Sequence, residues 1–122
     1  MNTGILLIAL LVSHYLADYC LTLPIMIRAK ADGKNVWPIL LHASIHAVLM
    51  GLCLLVWGAQ WTTLVWLMGV ELVTHFAIDL TKARLSFHFP QLADAKQKSY
   101  WMLYGLDQLL HQLVVVYIWL SA

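Results

Sequence analysis

Charge is scarce in this sequence. Lys, Arg, Asp and Glu make up 11% of the 122 residues, under half the share usual in a soluble domain. With a hydrophobic fraction of 62% and a mean hydropathy of +0.80, that scarcity excludes an ordinary water-soluble domain and predicts an integral membrane protein. Cysteine is nearly absent. Cys20 and Cys53 show no CxxC spacing, so neither a disulfide framework nor a thiolate metal site is expected, and both read as packing residues. A net charge of +1 without a basic tract gives no nucleic-acid partner. Ser13 and Ser44 lack any elbow or oxyanion context, which removes serine chemistry.

What is present is apolar length. Four stretches, at about 3–27, 36–57, 61–82 and 100–120, each approach the ~20 residues a bilayer requires. They predict a single all-α domain over 1–122, an integral membrane four-helix antiparallel bundle with a cytoplasmic interfacial loop at 83–99. The first stretch has no basic segment before it and no small residue ahead of Cys20, so it is expected to stay as a helix and not to act as a cleaved signal. Pro24, Pro38 and the Asp32-Gly33-Lys34-Asn35 turn mark helix ends. All seven basic residues (Arg28, Lys30, Lys34, Lys82, Arg84, Lys96 and Lys98) fall on one side of this layout. The positive-inside rule makes that side cytoplasmic and both termini non-cytoplasmic, and Trp residues near the span edges agree. The expected layout is multi-pass, with homo-oligomerisation open.

Within the spans the few ionisable groups are ordered. They read His14xxxAsp18, His42xxxHis46, Glu71xxxHis75xxxAsp79 and Asp107xxxHis111, one set per helix. Four residues turn an α-helix by about 400°, so each set projects from one face with a ~40° offset. Counted at ~1.5 Å per residue, the sets lie at matching depth in the cytoplasmic half. Insertion costs about 2.5–3.5 kcal/mol for one Asp at a helix centre, so these groups must face one another and not lipid.

Four facing carboxylates repel, and two divalent cations would balance them. Imidazole and carboxylate suit zinc first, with iron or manganese as alternatives. The nine residues His14, Asp18, His42, His46, Glu71, His75, Asp79, Asp107 and His111 are therefore the expected ligands of a multinuclear site. The competing reading is a hydrogen-bonded or proton-relay network. Asp79 is the softest ligand, because Lys82 three residues on could pair with it. Gln108 points off the stripe and is expected to hydrogen-bond and not to ligate. His88 reads as a loop residue.

The motifs HYLADYCLT, LLHASIHA, THFAIDLTK and DQLLH resemble the bacterial membrane family known as domain of unknown function thirty-three zero seven, across essentially the whole chain. Thr22 stands where that family usually has Gln. More distantly, helical HxxxD pairs are similar to those of zinc-dependent phospholipase C, P1-type nucleases and membrane-bound metal-dependent hydrolases, an analogy that specifies chemistry weakly.

The leading expectation is a metal-dependent hydrolase of a membrane-presented ester or phosphoester. The ions would bind substrate oxygen and activate water, Asp79 would serve as ligand or base, and Lys82 with Arg84 would attract an anionic headgroup. The alternative is a divalent metal or proton transporter using the same residues as a transit site. A di-iron oxidase fits less well, since its bundles use Glu-x-x-His.

Overall fold

The structure is a computed structural model and describes residues 2–122. Five α-helices make up the fold: α1 (Thr3–Tyr15), α2 (Pro24–Asp32), α3 (Val36–Trp57), α4 (Trp61–His88) and α5 (Lys98–Ser121), with no strand among the described residues. Four helical stretches, Thr3–Cys20 and helices α3, α4 and α5, are long and apolar enough to cross a membrane. They close a ring in which α1 packs on α3 and α5, and α4 packs on α3 and α5.

The first stretch ends sooner than its hydropathy predicts. After Tyr15 the helix widens into a π turn over Leu16–Cys20, closed by Leu21 N–H donating to the Leu16 carbonyl at 3.0 Å. Pro24 is the physical reason the helix cannot run on to residue 27. It lacks an N–H and drives the preceding residue out of helical space, and Leu23 sits at φ −89°, ψ 154°. Thr22 Oγ1 donates to the carbonyls of Ala17 and Asp18, occupying acceptors that the broken helix leaves open. Pro24 then opens α2, a helix hidden within what the sequence presents as the end of span 1 and the following loop.

The predicted loop at 83–99 is corrected in the same way. Nothing between Ala83 and His88 breaks a helix, so α4 continues to His88 and stops where Pro90 forces Phe89 to φ −123°, ψ 87°. A single 3-10 turn, Pro90–Leu92, precedes α5, which starts two residues earlier than expected. At the other end, Gly58 closes α3 at φ 91°, a left-handed position that a side chain would strain. Gly51 serves contact instead: a Cβ there would lie 2.6 Å from Met68 Sδ on α4, so the Met68 side chain occupies the space that glycine leaves.

Two apolar clusters bracket the interior. Leu6, Leu10, Met50, Leu54, Leu64, Leu67, Val115 and Ile118 fill the end near the termini and the Gly58 turn. Ala29, Ile39 and Ala83 fill the other, where α2 folds back over α3 and α4. Between them lie the buried ionisable side chains.

Candidate metal centre

Asp18 lies inside the π turn of the first stretch, a distortion that recurs at functional positions because it re-aims a side chain. Its carboxylate gathers three histidines. Oδ2 is 3.1 Å from His14 Nε2, and Oδ1 is 3.1 Å from both His42 Nε2 and His46 Nε2. One turn of α3 separates His42 and His46, so an ordinary helix brings both rings to the same oxygen.

Helix α4 supplies the opposite wall. His75 Nδ1 is 3.2 Å from Glu71 Oε1; an ionised carboxylate only accepts, so the neutral ring donates there and carries its lone pair on Nε2. That Nε2 is 3.5 Å from Asp79 Oδ2. On α5, His111 Nδ1 donates to the backbone carbonyl of Asp107 at 2.8 Å. A carbonyl can only accept, so the His111 lone pair sits on Nε2, 3.7 Å from Asp79 Oδ1. His75 Nε2 and His111 Nε2 are buried and have no hydrogen-bond partner among the described residues. Two imidazole lone pairs therefore converge on one carboxylate, each ring fixed through its other nitrogen, as metal-binding histidines are.

The rings are crowded: His46 and His75 have centroids 3.7 Å apart, His75 and His111 4.3 Å, His14 and His46 4.7 Å. Three groups have ligand atoms within 4.8 Å of one another: His14 with His46, Glu71 and His75; Asp18 with His42, His46 and His75; and His75 with Asp79 and His111. The donor set fits a divalent ion, since it combines buried, unpartnered imidazole nitrogens with carboxylates in the mixture that zinc, iron and manganese accept.

Eight of the nine residues singled out from the sequence occur in these groups. Asp107 does not. Its Oδ2 is taken by Lys82 Nζ at 2.9 Å and Gln108 Nε2 at 3.1 Å, and its Oδ1 is 3.8 Å from His111 Nδ1. Nor does Lys82 pair with Asp79, as their spacing allowed. The partner of Asp79 is Lys30 on α2, with Nζ 2.7 Å from Oδ2. Arg84 points elsewhere, with its Cγ against Gly33, and His88 ends α4 and does not stand in a loop.

An open cavity of about 480 Å³ leads to the cluster, lined by Asp18, Lys30, Asp79, Lys82, Asp107 and His111 among others. On the far side the apolar cluster of Leu10, Met50, Leu67 and Val115 closes the bundle immediately behind His14, His46 and Glu71. The centre thus opens into this cavity at one end and abuts the apolar cluster at the other.

The family model described as a protein of unknown function (DUF3307) matches residues 6–122. The chain belongs to that family. No curated protein and no solved structure matches it. The matched range takes in all five helices almost entirely and every residue of the centre.

Lys30, on the cavity wall and paired with Asp79, is the residue that sequence reasoning passed over. Its position among the basic residues between spans explained it by topology alone, and the only signal for α2 was Pro24 followed by seven helix-compatible residues.

Proposed function

We propose that the chain is an integral membrane protein of a bacterial inner membrane, with basic ends cytoplasmic, that binds two divalent ions and hydrolyses a membrane-presented ester or phosphoester. The observation that carries this reading is the convergence of His75 Nε2 and His111 Nε2, both buried and unpartnered, on Asp79 at the floor of a cavity that opens on one side.

The count of two follows from how the groups overlap. Assigning His75, Asp79 and His111 to one ion leaves His14, Asp18, His42, His46 and Glu71. Both remaining groups need His46. A second ion can therefore take His46 with His14 and Glu71, or His46 with Asp18 and His42, and a third would have fewer than three unshared protein ligands. Zinc suits this donor set, with iron and manganese next.

When bound, such ions polarise a substrate oxygen and lower the pKa of bound water toward neutrality. The chain's own residues do the rest. Asp18 holds His14, His42 and His46 in orientation; Glu71 and the Asp107 carbonyl fix the tautomers of His75 and His111. Asp79 sits at the cavity floor, where a carboxylate can ligate or accept a proton. Lys30 and Lys82 put two ammonium groups on the cavity wall, suited to an anionic substrate. A transport role would require a route past the apolar cluster, and the closed packing of Leu10, Met50, Leu67 and Val115 supports hydrolysis over transit.

The test is metal analysis of purified protomers by mass spectrometry. Two ions per protomer are expected. His75→Ala, which removes the residue common to all three groups, should reduce the content to one or none. Wild-type content in that variant, with unchanged helicity by circular dichroism, would reject the shared centre.

A further inference from the structure

A continuous apolar groove runs along the outside of the bundle between α4 and α5. One stretch, about 560 Å³, is lined by Val70, Thr74, Leu113 and Tyr117. A second, about 260 Å³, is lined by Thr81, Leu85, Leu103 and Leu106. The two share Ala77, Ile78 and Leu110, so they form one path. From Val70 to Lys82 it follows α4 for ~18 Å at 1.5 Å per residue, close to the ~15 Å hydrocarbon depth of one leaflet.

Where the groove ends decides what it is for. Lys82 and Asp107 line its last stretch and also line the polar cavity that reaches Asp18, Asp79 and His111. The Lys82–Asp107 pair is thus the partition between lipid-facing groove and candidate metal centre. Lys82 has three N–H donors; Asp107 Oδ2 takes one, and a charged headgroup can meet the others. Lys30 lies across the same cavity. A second groove, between α1 and α3, provides the contrast. It is also apolar, about 310 Å³, lined by Ile5, Ala9, Leu52 and Val56, and reaches no charged residue.

We infer that the α4–α5 groove seats one acyl chain of an anionic phospholipid, whose headgroup phosphoester turns past Lys82 into the cavity. The substrate then arrives sideways from the cytoplasmic leaflet and not through water. This rests on the membrane-hydrolase reading and narrows it to a lipid phosphoester. Charge selects the occupant: Lys82 and Lys30 each already face one carboxylate, and a headgroup carrying its own choline or ethanolamine cation offsets its phosphate's attraction to them, which an anionic headgroup does not.

The experiment uses the full chain in lipid nanodiscs containing either phosphatidylglycerol or phosphatidylcholine with a photoactivatable diazirine in one acyl chain. Cross-linked peptides are mapped by mass spectrometry, and bound metal is measured on the same samples. The phosphatidylglycerol probe should label the segments around Ala77–Ile78 and Leu106–Leu110 several-fold more than the α1–α3 groove, while the phosphatidylcholine probe labels both alike. Leu110→Trp, which fills the groove where its two stretches meet, should remove the excess without changing metal content. Lys82→Gln should remove the preference for phosphatidylglycerol, and Arg84→Gln, outside the cavity, should keep it. Equal labelling of the two grooves by phosphatidylglycerol, or undiminished labelling in Leu110→Trp, overturns the inference. The two readings fail separately: bound ions without groove enrichment reject the lipid path alone, whereas enrichment without bound ions rejects the metal centre and leaves the path standing.

Discussion

Along each long helix the interior changes character within a single turn. Leu10 is followed by His14 on the first stretch and Leu67 by Glu71 on α4; on α3 and α5, Met50 and Val115 give way to His46 and His111 four residues earlier in sequence. The members of each pair lie one turn apart on the same face, and all eight face inward. The outer layer of this comparison is an apolar cluster; the inner layer is five histidines and four carboxylates. The same backbone positions therefore support two unlike cores, and the difference lies in what each needs. Apolar side chains need only shape, whereas buried imidazoles and carboxylates need polar partners. The inner layer satisfies some internally and leaves His75 Nε2 and His111 Nε2 without any.

The largest effect should come from removing what would complete the inner layer. An ion bound at a thousandfold excess over its dissociation constant stabilises the folded state by ~4 kcal/mol, so stripping two ions with a chelator should lower the thermal midpoint sharply, and zinc should restore it. The apolar layer would be untouched by that treatment. An unchanged midpoint on chelation would mean that the inner layer holds itself together by hydrogen bonds alone.

Next in size is a change confined to the apolar layer. Leu67 is fully buried there, and Leu67→Ala should cost about 2 kcal/mol, the low end of the range for buried Leu→Ala. In the proposed membrane setting the low end applies, because lipid is as apolar as the protein interior and only lost packing counts. Ion content should remain two per protomer. Loss of metal in this variant would show that the two layers are not separable.

Much of this division was legible in the sequence, for a definite reason. Ionisable pairs at i, i+4 share a face in any α-helix, and lipid forbids that face from pointing outward, so convergence of the four sets follows from periodicity and solvation. What periodicity cannot carry was missed. The π turn at Leu16–Cys20 leaves no local pattern, though it aims Asp18. Lys30 reaches Asp79 only because α2 folds back, and the sequence placed its charge in a loop. Asp107 sits on the same stripe as His111, yet Lys82 arrives from α4 at 2.9 Å and draws its carboxylate away from the convergent groups.

That last difference gives a finer test of which residues belong to the inner layer. Asp107→Asn keeps the backbone carbonyl that fixes His111 and should retain both ions, with affinity reduced about tenfold, the lower range for a residue that supports a ligand from behind. Asp79→Asn should lose one ion outright. Titration with a competing chelator separates the two outcomes, and loss of an ion in Asp107→Asn would return Asp107 to the ligand set.

The smallest expected effect has the opposite sign. Lys30 Nζ is 2.7 Å from Asp79 Oδ2 and 28% exposed, so it is a cation placed where a divalent ion would compete with it. Lys30→Gln removes that competitor and the local repulsion while leaving the α2 backbone intact. The exposed end screens the interaction, which limits the gain to less than about tenfold, ~1.4 kcal/mol. Metal affinity at the His75–Asp79–His111 group should therefore rise a few-fold in Lys30→Gln, and the gain should shrink as ionic strength increases. Weaker binding in this variant would mean that Lys30 positions Asp79 for the ion and does not occupy its place, making α2 a structural support of the centre.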